Sequence, residues 1–340
     1  MGRDPSNLVI FVGRRLLQIV PVLLGVILLT FFLTHVAVTD PCSHYVGPHA
    51  SRSTREACIA QLGLNHPVYV QFATYLHALA TGGWGLDPNT ASPVLPVVMT
   101  ALPATIELVL AALFLIIVIG VPLGVIAANS AGRWPDHLVR IFYLSGWALP
   151  TYLLGLLLAI FAAPALGITL GEYSTMNPPF PQPTHFSVID ALLAGNLPYT
   201  VDAFAHLLLP AFALAFLNLG IVTRMTRSAM LDVLPLDYVK AARMKGLGEF
   251  WVLYKHALRN SLITTTTVLG ITAGTLLSST VIIESIFLWP GIGQYAYGAV
   301  VNANFPGVVL TVVVFAIAVV IANLIADIAY GLLDPRVEWQ

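Results

Sequence analysis

Six runs free of Asp, Glu, Lys and Arg govern what this chain can become: Leu16 to Thr39, Leu108 to Gly132, Ile141 to Gly171, Ala203 to Thr223, Asn260 to Ile283 and Ser285 to Ala326. A helix needs about 20 apolar residues to cross a hydrocarbon layer, at about 1.5 Å of rise per residue. Each run is long enough. The last is divided by Trp289-Pro290-Gly291-Ile292-Gly293, which breaks a helix near its start. The runs therefore predict an all-α integral membrane protein with six spans, at 16–38, 101–128, 139–166, 206–223, 260–287 and 308–330. A segment at 288–307 folds back between the last two. Composition agrees, with 58% hydrophobic and 9% charged residues, against about 25% charged in a soluble domain. Fifteen basic residues against sixteen acidic ones leave a net charge of -1, which offers no cationic surface for nucleic acid.

Positively charged loops are retained on the cytoplasmic side. Thirteen of the fifteen Lys and Arg residues fall in the N-terminal segment 1–15, the second and fourth connections, and the tail 331–340; Arg52 and Arg55 alone fall on the other side. Both termini are thus expected in the cytoplasm. Arg14-Arg15 before an apolar run also has the form of a signal peptide. The run exceeds a typical h-region and lacks a clear small-residue cleavage site before Asp40, so a retained anchor is the expectation.

The outer segment 39–100 predicts two short helices. One is capped by Ser53 or Thr54 and ends at Gly63; the other runs from Pro67 to about Ala80 with Val68, Phe72, Leu76 and Leu79 on one face. That face suits the membrane surface, a partner or the chain's own spans. Cys42 and Cys58 share this segment, which leaves a disulfide open. The second outer segment, 167–205, is proline-rich around Asn177 to Pro183 and should be extended.

The loop 224–259 carries ten charged residues. Asp237 is expected to cap a short helix through Lys245, stopped by Gly246 in a left-handed conformation, after which Gly248 and Glu249 open a second helix. Lys255, His256 and Arg259 then fall in its last turns or at the junction with the fifth span. Small Ala241 and Ala242 would admit a partner's surface, with Lys240 and Arg243 as polar contacts. A solvated basic loop serving only topology is the competing reading.

Lys240-Ala241-Ala242-Arg243-Met244-Lys245-Gly246 resembles the EAA loop of ABC importer permeases. The flanks resemble the dipeptide and oligopeptide permease family: Arg14-Arg15-Leu16-Leu17 and Pro21 with Asp40-Pro41, Leu102-Pro103-Ala104-Thr105-Ile106-Glu107, His256 to Asn260, Glu284 to Gly293, Asp327 to Tyr330 and Leu333 to Arg336. The likeness spans nearly the whole chain. It implies the type I ABC importer permease architecture in a bacterial plasma (inner) membrane and a cargo of short peptides. It also implies a coupling helix at Asp237, Tyr238, Lys240, Ala241, Ala242, Arg243, Lys245, Gly246 and Leu247 that sits in an ATPase cleft. The implied partners are a second homologous permease, two ABC ATPase subunits, an extracytoplasmic substrate-binding protein and membrane lipid. ATP and Mg would be held by the ATPases, with no cofactor in this chain. Departures are Lys240 in place of Glu, His256 and Arg259 in place of later Ile and Pro, and Thr264 where proline is frequent, which predicts a straighter start to the fifth span.

No Gly-Lys dipeptide of a phosphate-cradling loop occurs among the three lysines, Gly291, Gly293 and Gly298 lack dinucleotide-fingerprint spacing, and no metal-ligand or membrane-protease motif is present. No catalysis is assigned. Asn218, Glu284 and Trp289 are the candidate pathway residues, since polar groups within spans are costly unless they face water or a partner; helix-to-helix hydrogen bonding is the alternative for Glu284, Asn218 and Asn323. His35 and His206 read as interfacial or helix-contact residues, and Asp327 as structural. An ion-coupled secondary transporter would need buried charge pairs and inverted repeats, neither of which is clear. Nickel, glutathione or haem are alternative cargoes.

Overall fold

The structure is a computed structural model that describes residues 12–15, 17–32, 42, 51–61, 63, 65–88, 90–175 and 178–333. His35, Asp40-Pro41 and Asp334-Pro335-Arg336 lie outside them, as does the Asp327 side chain. The helices, in order, are α1 (Ile19–Phe31), α2 (Arg52–Gln61), α3 (Val68–Ala80), α4 (Val94–Leu115), α5 (Val121–Asn129), α6 (Trp134–Ala148), α7 (Thr151–Leu157), α8 (Ser187–Leu193), α9 (Leu197–Val233), α10 (Asp237–Met244), α11 (Leu258–Phe287), α12 (Ile292–Val301) and α13 (Phe305–Leu333). A single antiparallel bridge, Leu86 to Pro93, is the sole β pairing among the described residues.

Apolar composition and length make five helical stretches able to cross a membrane: Val12–Phe31, Val94–Asn129, Leu197–Val233, Glu249–Phe287 and Phe305–Ile325. Trp134–Ala148 and Thr151–Ala165 pass the same test only together, bent by 99° at the break, which makes five crossings, or six where the pair counts as one span. The sequence reading treated 139–166 as one span. Pro150 explains the break: it supplies no N–H and drives Leu149 to an extended conformation (φ -102°, ψ 118°). The helices also outrun the hydrocarbon estimate, and α9 starts at Leu197 inside the segment read as outer loop. Charge-free length measures only what lipid requires, whereas protein neighbours let a helix continue into water.

The long helix α9 is the hub, packing against α4, α5, α6, α7, α8 and α11, while α11 also packs on α13, α12 and α4. Glycines allow the closest approaches. A Cβ on Gly124 of α5 would lie 2.6 Å from Thr226 Cβ on α9, and one on Gly220 of α9 would lie 2.8 Å from the Tyr143 carbonyl of α6. The main core runs from Leu108 and Ile116 through Leu214, Leu219 and Met230 to Leu276 and Ile283.

α1 is peripheral and buries only Ile27, Thr30 and Phe31. It packs on α13 and, through the Phe31–Phe72 ring contact at 5.1 Å, on α3. The apolar face of α3 is thereby spent on the chain's own spans: Phe72, Leu76 and Leu79 join Ile27, Val309 and Val313, although Val68 stays exposed. Ser51, rather than Ser53 or Thr54, supplies the hydroxyl at the start of α2, accepting from the Thr54 N–H. Cys42 and Cys58 are joined in a disulfide with a Cα separation of 6.1 Å.

Candidate functional site

α10 is a single short helix whose two sides differ. Val239 and Ala242 point inward and join Val252, Leu253, Ala257 and Leu258 of the next segment in the core. Asp237, Tyr238, Lys240, Arg243, Met244, Lys245, Gly246 and Leu247 are exposed, with Ala241 half-buried. Met244 is 83% exposed and Leu247 42%, and Phe250 and Trp251 next to them are also open. Gly246 has φ +75° and ends the helix as its missing Cβ allows.

Three details differ from the expected elbow. Asp237 is not the cap: Leu236 occupies that position without a side-chain bond, and Asp237, in the first turn, pairs with Lys240 at 3.2 Å. Ala242 is turned away from any partner, so the close approach its size permits is to the chain's own next segment. Lys255, His256 and Arg259 do not face a helix end either. Glu249–Trp251, a π-helical turn at Val252–Ala257 and α11 form one continuous rod, in which no C-terminal dipole arises at these cations. That rod also passes through Thr264 without interruption.

The elbow is tied to the rod at both ends. Arg243 forms a fork with Glu249 at 2.7 and 3.2 Å, and the pairing raises the Arg243 pKa. Asn260 donates to the Tyr238 hydroxyl at 2.7 Å. At the base of α9, Arg227 donates to both oxygens of the fully buried Asp136 (2.7 and 2.9 Å), joined by Arg140 and the Gly132 N–H. These bonds tie α10 to the rod that continues into α11, while the Asp136 knot ties α9 to α6. The Asp136 knot escaped the sequence reading, though the lone acid between Arg133 and Arg140 is its signal.

Two of the three pathway candidates are structural instead. Glu284 is 0% exposed: it accepts from Thr105 Oγ1 at 2.8 Å and from the Gln294 N–H at 3.0 Å. Thr105 Oγ1 in turn accepts from the Ile292 N–H at 2.8 Å. Trp289, also 0% exposed, donates from its indole to the Ala104 carbonyl at 2.8 Å. Together they lock the turn after α11, where Leu288 takes φ +53°, onto α4. The orphan N–H groups at the start of α12 explain why a carboxylate is tolerated there. Asn218 is half-buried on α9. His206 is buried between the Asp202 carbonyl of its own helix and Thr169 of the segment after Ala165.

A different surface is open and rich in hydroxyls. Along α11, Thr264, Thr267, Ile271, Thr275, Ser278 and Ile282 are exposed at helical spacing. Beside them a groove of about 840 Å³ is lined by Thr266, Gly270, Gly274, Ser279 and Asn323 of α13. The hydroxyls of Thr267, Thr275 and Ser279 are bonded back to their own helix, yet each keeps acceptor capacity for water or cargo. The signal was readable as the hydroxyl run Thr264 to Thr267 and Thr272 to Thr280, but its facing was not.

A bundle of membrane-crossing helices with an anchored, half-open elbow defines the membrane subunit of a transporter. Residues 120–339 match the family described as binding-protein-dependent transport system inner membrane component, and residues 8–109 match its N-terminal counterpart. The chain belongs to that family. Among similar proteins, the probable D,D-dipeptide transport system permease of Escherichia coli K12 is 40% identical, covering 95% of this chain and 96% of its own. The di/tripeptide transport system permease of Pseudomonas aeruginosa is 39% identical over 97% and 99%, respectively. The dipeptide transport system permease of Alkalihalophilus pseudofirmus is 37% identical over 96% and 98%. Among solved structures, the inward-facing MetNI methionine ABC transporter superposes with a TM-score of 0.52 at 18% identity, over 71% of this chain and 98% of that one. That likeness establishes the type I importer fold. The protein is a multi-pass permease component of an ABC importer.

Proposed function

We propose that this chain forms half of the translocation path of an ATP-driven importer of dipeptides and oligopeptides, working by alternating access. The loop charges favour both termini and α10 on the cytoplasmic side. In this reading α10 seats in a cleft of an ABC ATPase, and two such ATPases, holding ATP and Mg, draw the elbows of this chain and a second homologous permease together. The rods joined to each elbow then tilt and open the path toward a loaded extracytoplasmic receptor. The observation that carries the reading is the divided face of α10, with Val239 and Ala242 anchored inward and Met244 and Leu247 left bare.

The peptide permeases at 37–40% identity favour peptide over nickel, glutathione or haem. The α11 hydroxyl face suits a peptide backbone, which needs donors and acceptors along its length. A secondary transporter is disfavoured because the buried acids within the spans, such as Glu284, are bonded into the scaffold rather than poised beside a path.

The test is Met244→Glu in the assembled transporter. Membrane insertion and thermal stability should be unchanged, while peptide uptake and receptor-stimulated ATP hydrolysis fall together. Stimulated hydrolysis at the native rate would remove α10 from the coupling role.

A further inference from the structure

At the end of the bundle opposite α10 lies a cavity of about 580 Å³. It is walled by Val97, Thr100, Ala101 and Ala104 of α4, by Glu172, Gln182, His185 and Ser187 of the segment leading into α8, and by Pro290, Gly291, Gln294 and Tyr295 at the start of α12. Such a volume lies within the range of small-ligand sites, about 300–1,000 Å³. Its charge is one-sided. Glu172 lies close enough to Glu107 of α4 and Asp190 of α8 for both to act on it. Glu107 is neutralised in part by donors, accepting from the Ser187 hydroxyl and from the Ser187 and Val188 N–H groups. Asp190 accepts from Thr184 on one oxygen, and its other oxygen is buried without a partner. No hydrogen bond or ion pair reaches the Glu172 carboxylate among the described residues.

The walls themselves supply no Lys or Arg. No Lys or Arg occurs in 56–132, 141–223 or 260–335, the stretches that build every wall. Nor do three His, Cys, Asp or Glu side chains converge as a metal cage among the described residues. Burial and the Glu107 and Asp190 charges push the Glu172 carboxyl up to about 8. An empty cavity thus holds its proton and an arriving cation releases it; His185, Tyr295 and the neighbouring Tyr173 are the other titratable groups around it.

We propose that this cavity binds the primary ammonium group of the cargo peptide, with the Glu172 carboxylate as counter-charge and Gln182, Gln294 and Tyr295 as polar contacts to the first peptide bond. A volume in the small-ligand range favours a small molecule over the flat contact of a receptor surface. The proposal rests on the importer reading, but its test is a binding measurement that needs neither ATP nor α10, so either can fail without the other.

The chain's own cysteines are both tied in the disulfide, so Thr100→Cys places its sole free thiol in the cavity wall. In the assembled transporter without receptor, Ala-Ala should slow labelling of that thiol by a membrane-impermeant maleimide about tenfold at ten times its Kd. N-acetyl-Ala-Ala should leave labelling unchanged, and adding Glu172→Gln should abolish the protection by Ala-Ala. Gln294→Cys repeats the measurement from the opposite wall if the first variant fails to assemble. Equal protection by the acetylated peptide, protection that survives Glu172→Gln, or no protection at either thiol overturns the proposal. Protection by peptide-free receptor alone also overturns it, by assigning the cavity to a receptor cation.

Discussion

Asp136 shows how a single side chain can tie two helices together. Its carboxylate is fully buried, yet Arg227, Arg140 and the Gly132 N–H satisfy both oxygens. A buried pair of this kind adds little net stability over an apolar isostere, but removing one partner strands the other's charge. Asp136→Ala should therefore cost about 3–5 kcal/mol, visible as a lower unfolding temperature of the detergent-purified protein, and Arg227→Met in the same chain should recover part of it. Glu284 belongs to the same group. Its acid type and its place between two charge-free runs were legible, but whether it faced water or the start of α12 depended on Thr105, 179 residues away in sequence.

At the scale of elements, close glycine contacts decide how rods meet. The approach of α5 to α9 at Gly124 leaves no room for a side chain, because the nearest obstacles are the Thr226 side chain and the Thr223 carbonyl. Gly124→Ile should separate the two helices and cost about 1–3 kcal/mol of overpacking strain, read as a lower unfolding temperature in a thermal-shift measurement. Periodicity and charge made the elbow visible in the sequence: a short helix, a glycine stop at Gly246 and a second helix from Glu249. Its facing was not visible. With alanines at both 241 and 242, only the packing of Val239 against Val252 and Leu253 shows which one is turned inward.

For the whole molecule, the two surfaces that matter lie on α11 and at the far end of α4. The groove beside Ser278 and Ser279 is open along the rod that continues from the elbow. Ser278→Trp should block peptide uptake while leaving insertion, thermal stability and basal ATP hydrolysis of the assembled transporter intact. Unimpaired uptake by that variant would place the path elsewhere. The cavity opposite α10 shares no wall with this groove, so the thiol-protection and uptake measurements report on separate surfaces.

By itself the sequence determined the solvent this chain must live in, because lipid penalises every unpaired charge and backbone group by several kcal/mol. It also marked Pro290 and Gly246 as breaks, since those residues act through their own backbone. The tertiary structure alone decided the 99° bend at Pro150, the burial of Glu284 and Trp289, the Asp136 knot and the exposed face of α11. Each of these depends on which distant segment comes alongside, and hydrophobicity within a bilayer carries little information about which side of a helix meets protein and which meets lipid.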